Sequence, residues 1–237
     1  MSAQPFAAIT PELARHGISV DPATARRIER YADLLQRWNR RINLVGARDA
    51  ATLWQRHILD CLMLETVPRP AGPRTWLDVG SGGGLPGLLL ALLHPNDRVT
   101  AVESVAKKAT FLQEAARQLA LGNFVCIHGD VWRLAGSPGF TPSDALVARA
   151  FGSLADLLAL GSTLLRPGGS VWAMKGRRWE AELAAVPQAT RAHYEPAPDV
   201  HAYRLAALAP AARGAAAPVA GEGWVLVFHR RAAVTGA

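Results

Sequence analysis

The sequence has little cysteine, little lysine and no long apolar run. Two cysteines in 237 residues, Cys61 and Cys126, are too few for a disulfide framework or a cysteine-built metal site. Both sit among apolar neighbours and read as buried thiols. No apolar run approaches the ~20 residues that a membrane span needs; the longest surrounds Leu85 to Leu93. The opening residues Met1-Ser2-Ala3-Gln4-Pro5 lack the basic-then-apolar pattern of a secretion signal. A cytoplasmic protein with no membrane partner and no metal is therefore expected. Charged residues are only 19% of the chain and hydrophobic ones 50%, which excludes a disordered class. At roughly 100–200 residues per domain, the length suits one large domain with an appendage.

Only Lys107, Lys108 and Lys175 among the 26 basic residues are lysine. The balance against 19 acids is +7, with a pI near 10.2, and favours a polyanionic partner. Arginine is abundant together with alanine and glycine, as in a GC-rich genome, so the placement of the charge matters more than its sum.

Thr10-Pro11-Glu12 reads as the start of a short helix closed by Gly17. Asp21-Pro22 opens a second helix, running to about Leu44. On it Ile28, Tyr31, Leu34, Leu35, Trp38 and Ile42 share one face, and Arg26, Arg30, Arg37, Arg40 and Arg41 cluster on another. Asp33, four residues before Arg37, makes part of that flank ordinary ion-pair surface; Arg26, Arg30, Arg37 and Arg41 are its candidate contacts to a polyanion such as nucleic acid. A third helix is expected from Ala50 to Leu64, before Pro68, Pro70 and Pro73 interrupt the chain. Short apolar strands then alternate with helix-length segments. The strands are Thr75 to Val79, Val99 to Glu103, Phe124 to His128, Ala145 to Ala148 and Ser170 to Met174; the helices are near 86–93, 105–121 and 153–165. This alternation predicts an α/β fold, a Rossmann-like, doubly wound, mostly parallel sheet. The expected organisation is an N-terminal helical extension (1–72) packed on a second unit (73–237). A helix near Trp179 to Ala185, an Ala/Pro-rich hairpin loop at 206–222 and a strand at Trp224 to His229 complete it.

Asp78-Val79-Gly80-Ser81-Gly82-Gly83-Gly84-Leu85-Pro86-Gly87 follows a strand and opens a helix, where glycines let a ligand approach the backbone. Gly82, Gly84 and Gly87 also satisfy a dinucleotide pattern. Asp78 argues against that reading: a carboxylate there suits the ammonium of S-adenosylmethionine and repels a pyrophosphate. Glu103, 23 residues past Gly80, stands where a carboxylate can accept from both ribose hydroxyls, and Asp130 stands where methyltransferases of this architecture hold the adenine amino group. Each acid has a plainer alternative: a turn cap for Asp78, an i,i+4 pair with Lys107 for Glu103, and a helix N-cap for Asp130. The fold class is accordingly a class I methyltransferase dependent on S-adenosylmethionine.

The chain resembles the bacterial small-subunit ribosomal RNA methyltransferase G family, also called glucose-inhibited division protein B. The matching pieces are Trp38-Asn39 with Asn43-Leu44, Arg56-His57-Ile58-Leu59-Asp60, Asp78 to Gly87, Glu103-Ser104 with Lys107-Lys108, Arg149-Ala150-Phe151, Leu165 to Gly169, and Met174-Lys175-Gly176. The resemblance implies methyl transfer from S-adenosylmethionine to N7 of a guanine in 16S rRNA, within the small subunit or an assembly precursor; a monomer is expected. It implies cofactor contacts at Gly80, Leu85, Val131, Trp132 and Arg149, to which Asp78, Ser81, Gly82, Gly84, Glu103, Ser104 and Asp130 are added. The family more often has an acid at the position of Trp132, so its side chain has no implied role.

An N7 target agrees with what the sequence lacks. Neither cysteine is placed as a nucleophile for pyrimidine C5, and no Asn/Asp-Pro-Pro-aromatic motif follows the fourth strand. N7 already carries a lone pair, so alignment can suffice without a base. Arg149 is the candidate catalytic residue, through guanine O6, a phosphate or the cofactor; pairing with Asp144 or Asp156 is its structural alternative. Phe151 is a candidate for stacking the base or for the core. His57 reads as structural, Arg56 and Asp60 as an i,i+4 pair, and Lys175, Arg177 and Arg178 as phosphate ligands. A methyltransferase for a small molecule or protein remains the alternative function.

Overall fold

Seven strands, β1 (Thr75–Val79), β2 (Arg98–Glu103), β3 (Phe124–His128), β4 (Ser143–Arg149), β5 (Leu165–Lys175), β6 (Asp199–Leu205) and β7 (Gly221–His229), form one sheet in the order β3-β2-β1-β4-β5-β7-β6. The first five run parallel, while β7 is antiparallel to both β5 and β6. The chain changes direction across the sheet between β1 and β4, and at such a switch point a crevice opens beyond the carboxyl ends of the strands. The computed structural model describes residues 5–47, 49–206 and 221–232. The expected Ala/Pro-rich loop lies, from 207 to 220, outside them.

Period-two alternation sorts each strand between two cores. Trp76, Val99, Ala101, Ala145, Val147, Trp172 and Val225 face one core, and Leu77, Val102, Leu146, Ala148, Val171 and Leu226 face the other. The first core is covered by α1 (Pro5–Arg15), α2 (Pro22–Asn39), α3 (Ala50–Leu53), α4 (Leu59–Leu62), α5 (Gly87–Leu93) and α6 (Ala106–Gln118). The second is covered by α7 (Leu154–Leu164), α8 (Trp179–Ala184), α9 (Gln188–Arg191) and a short turn of helix over Val131–Gly136. The alternation puts Asp78 on the same side of β1 as Trp76, toward the N-terminal helices.

Besides longer β4 and β5 and a third helix broken into α3, a π turn at Trp54–Ile58 and α4, three changes from the sequence reading bear on the site. The first helix begins before Thr10, whose hydroxyl bonds the Phe6 carbonyl (3.1 Å) instead of capping, and Pro11 lies inside it. Gly17 (φ +71°) closes that helix as expected. Asp21 caps α2 through the amides of Ala23 and Thr24, but α2 stops at Asn39 rather than near Leu44. Asn39 Oδ1 accepts from Leu44 and Val45, and Nδ2 donates to the Val45 and Ala47 carbonyls, so the side chain replaces helical bonds with a fixed loop. The third change is β6, not anticipated because its Asp199, His201 and Arg204 do not read as strand formers. This edge strand is tied to the first helix and the turn after it: His16 Nε2 lies 3.0 Å from the Arg204 carbonyl oxygen, and the Ala206 amide donates to buried Glu12 (2.8 Å).

Candidate active site

The carboxyl edge of the sheet brings Asp78, Glu103 and the glycine turn together. Gly80 and Ser81 donate their amides to Val102, and the turn uses positive φ at Gly80, Gly82 and Gly84 (+67°, +55° and +85°). Asp78 is 1% exposed. Its Oδ2 accepts from the Gly87 amide (3.1 Å), and a Cβ on Gly87 would overlap that oxygen. Its Oδ1 is buried with no partner. Burial, reinforced by the charge of Glu103, raises its pKa to about 7. A buried acceptor left open is costly, and it is what a ligand bearing an ammonium would satisfy. The turn-cap alternative accounts for only one oxygen.

Glu103 does not pair with Lys107 among the described residues. Its Oε2 accepts from Gly82 and its Oε1 from Val105, both at 2.8 Å. These bonds fix the carboxylate at the turn, and each oxygen keeps a further lone pair for a hydroxyl. Asp130 takes its plainer role: Oδ1 caps the helical turn after it through the Trp132 amide (3.0 Å). The residue is exposed, so Oδ2 stays open at the rim apart from Arg133 at 3.8 Å. Val131 is buried, Trp132 is 53% exposed and Ser104 is exposed. Phe151 lies against the turn, with Cδ2 2.5 Å from where a Gly80 Cβ would stand, and packs with the second core.

Arg149 pairs with neither Asp144 nor Asp156. Its Nε donates to Asp60 Oδ2 (2.9 Å), and Nη2 donates to the Arg56 carbonyl (2.9 Å) and His57 Nδ1 (2.8 Å). Asp60 is therefore not the i,i+4 partner of Arg56; its second oxygen accepts from the Tyr203 hydroxyl (2.6 Å). The backbone makes this possible, because residues Trp54–Ile58 form a π turn between α3 and α4 and such turns redirect side chains. Burial and the Arg149 charge lower the pKa of His57 to about 4. The ring is neutral there, and since a guanidinium only donates, Nδ1 is its acceptor. Among the described residues Nη1 of Arg149 makes no hydrogen bond to a nitrogen or oxygen, and the side chain is 18% exposed in a cleft of about 460 Å³ shared with Ala150, Met174, Lys175, Tyr203 and Glu222.

The expected phosphate ligands after β5 are mostly engaged. Lys175 pairs with Glu182 (2.7 Å) and Arg177 with Glu222 (2.5 Å). Cys61 is fully buried, and its thiol is pushed up to about 12; Cys126, half-buried rather than fully so, is pushed up to about 11, burial being the main cause in both. Neither is a ready nucleophile.

The sequence reading missed two supports of the cofactor turn. Tyr31, on the buried face of α2, donates its hydroxyl to the Gly83 carbonyl (2.6 Å), and Leu35 and Val45 close over Gly83. Asn39 holds the loop that carries Val45. The Trp-Asn motif hinted at the second, whereas Tyr31 was legible only as a core residue. Tyr31→Phe leaves that carbonyl orphaned; we expect a stability loss of about 1–2 kcal/mol by denaturant unfolding and several-fold weaker cofactor binding by calorimetry.

A family model for rRNA small subunit methyltransferase G matches residues 24–205. A ribosomal RNA small subunit methyltransferase G from Aromatoleum aromaticum is 43% identical over 183 residues, covering 76% of this chain and 84% of the relative. Its counterpart from Leptothrix cholodnii is 45% identical over 159 residues, covering 66% and 71%. Among solved structures, a precorrin-6y C5,15-methyltransferase from Geobacter metallireducens superposes with a TM-score of 0.51 at 13% identity, covering 80% of this chain and 92% of that one, a likeness of fold. The match across most of the chain, with Asp78, the glycine turn and Arg149 inside it, settles the kinship: this chain belongs to the rRNA small subunit methyltransferase G family.

Proposed function

We propose that the protein transfers a methyl group from S-adenosylmethionine to N7 of a guanine in the 16S rRNA of the small ribosomal subunit or its precursor. The observation that carries this reading is the buried, unpartnered Asp78 Oδ1 beside the glycine turn, in a chain of this family. Bound S-adenosylmethionine supplies a methyl group activated by its sulfonium charge. Asp78 would hold the ammonium, Glu103 the ribose hydroxyls, and Asp130 the adenine amino group. Gly80, Ser81, Gly82, Gly84 and Leu85 form the floor, and Ser104, Val131 and Trp132 the rim.

The chain's own task is then to orient the base and exclude water. Arg149 is fixed by Asp60, Arg56 and His57, which leaves Nη1 as a stationary pair of donors for guanine O6 or for the cofactor carboxylate. The pKa values support a nucleobase target that needs no deprotonation. His57 is neutral with Nδ1 engaged, Lys175 is paired, and both thiols are held protonated. The division into an N-terminal helical extension (1–72) resting on the methyltransferase unit (73–237), the monomeric state and the cytoplasmic location belong to the same reading. Among the described residues no helix is long and apolar enough to cross a membrane.

Labelled S-adenosylmethionine, offered with small subunits from cells lacking the enzyme, should label one guanine. Borohydride followed by aniline should then cleave the RNA there. Label without cleavage overturns N7 as the target, and calorimetric binding of NAD in place of S-adenosylmethionine overturns the cofactor.

A further inference from the structure

The C-terminal half of α2 and the end of α6 enclose a groove away from the Arg149 cleft. One part, about 490 Å³, is lined by Leu34, Arg37, Trp38, Arg40, Arg41 and Ile42, with Gln118 opposite. A second part of about 290 Å³ shares Leu34, Arg37 and Gln118 and continues to Arg30 and Asp33. The floor is apolar: Leu34 is buried, and Trp38 is half-buried with its ring 5.6 Å from Phe111. The rim is cationic. Arg37, Arg40 and Arg41 are exposed, and among the described residues no carboxylate lies within ion-pair distance of them. Arg30 is partly withdrawn from the flank, since its Nη2 donates to the Gln118 carbonyl (3.2 Å). Asp33 is the one acid among the described residues that line the groove; it shares the second part with Arg37, four residues on, without coming within ion-pair distance of it.

We infer that this groove docks a single-stranded segment of the RNA substrate outside the target nucleotide. Its three arginines would take phosphates, and Trp38 with Ile42 would take a base face. Unpaired arginines around an aromatic floor match single-stranded RNA, whose charge is regular and whose bases are free to leave the stack. The location suits that use: Trp38 and Asn39 are adjacent on α2, and Asn39 fixes the loop whose Val45 closes over Gly83 of the cofactor turn. The inference rests on the RNA substrate proposed above and adds where a second stretch of it is held.

The test uses the full chain, a fluorescent single-stranded oligouridylate of about 12 nucleotides, an RNA duplex of equal length and a polyglutamate peptide. The triple variant Arg37→Ala, Arg40→Ala, Arg41→Ala should bind the single strand about 10–100-fold more weakly. Its log–log salt slope should be shallower by about 2, as expected for three lost phosphate contacts at ~0.7 each. Binding of S-adenosylmethionine should stay unchanged, and the KM for small subunits should rise about tenfold with kcat within twofold. An unchanged slope and affinity overturn the inference, and so does tighter binding of the duplex or of polyglutamate by the parent protein. The two readings fail separately. A parent protein that binds the single strand through these arginines but methylates no guanine refutes the proposed reaction and leaves the groove standing. One that methylates while the triple variant binds as well as the parent refutes the groove alone.

Discussion

Asp78→Asn is expected to weaken S-adenosylmethionine binding by at least about 100-fold at pH 8 and, at the same pH, to make the cofactor-free protein more stable. The first effect follows from hydrogen-bond polarity. The Gly87 amide donates to Oδ2, so the carbonyl oxygen of an asparagine takes that place. Its NH2 then occupies the open Oδ1 position, where a donor faces a cation; loss of a charge-assisted bond of ~1.5–3 kcal/mol and of the ionic attraction gives the stated factor. The second effect follows from linkage. The pKa is raised to about 7 in the fold by burial, so the folded state binds the proton more tightly than the unfolded chain. The stability so provided is complete below the ordinary carboxylate range and is lost as pH rises through about 7, a cost of about 4 kcal/mol. Asparagine escapes it, less the cost of its unpartnered NH2, for a net gain of about 2 kcal/mol by thermal or denaturant unfolding at pH 8 and none at pH 5. In the parent protein the same proton competes with the cofactor, so affinity should fall about tenfold per pH unit below pH 7. A pH-independent affinity in calorimetry would show that Asp78 does not hold the ammonium.

Arg149→Lys should lower methyl transfer about 100-fold and stability by roughly 2–3 kcal/mol. A lysine ammonium has no planar fork and cannot reach Asp60, the Arg56 carbonyl and His57 together while leaving a fixed pair of donors toward the cleft. His57 provides a readout beyond activity. Burial and the Arg149 charge both lower its pKa, to about 4. Arg149→Met removes the charge and keeps the burial, so the imidazole, followed by NMR, should titrate higher than in the parent without reaching its ordinary range. An unmoved His57 titration would mean that the ring and the guanidinium do not meet in solution. Near-parental turnover of Arg149→Lys would remove Arg149 from the reaction.

Local chemistry made the cofactor side legible. Asp78, the glycines and Glu103 lie on two adjacent strands and one turn, and each has a residue type whose purpose can be stated without knowing its neighbours. The Arg56 to Asp60 piece was recognisable but could not be interpreted. Its carboxylate meets Arg149 from 89 residues away and Tyr203 from 143, and the π turn that aims it leaves no mark in helical periodicity. Asn39 as the last residue of α2 was not legible for a related reason. It fits inside an amphipathic helix as easily as at its end, and only the amides of Leu44 and Val45 decide which. Asp130 shows the opposite limit: its capping role and its proposed adenine contact use different oxygens, so the plain reading and the functional one were never exclusive.

The joining of β6 to α1 and the turn after it has a consequence for synthesis. Residues of that N-terminal segment wait for partners made much later: His16 for Arg204, 188 residues on, and Glu12 for Ala206, 194 on. Closing loops of this length is slow relative to local helix formation, and the chain leaves the ribosome with its N-terminus first. The N-terminal helices can therefore form early, but they lack their final neighbours until β6 has been made. Asp60 likewise lacks its Tyr203 bond until then, so a chain grown only through β5 can pair Arg149 with Asp60, Arg56 and His57 while the second oxygen of Asp60 still waits for its partner.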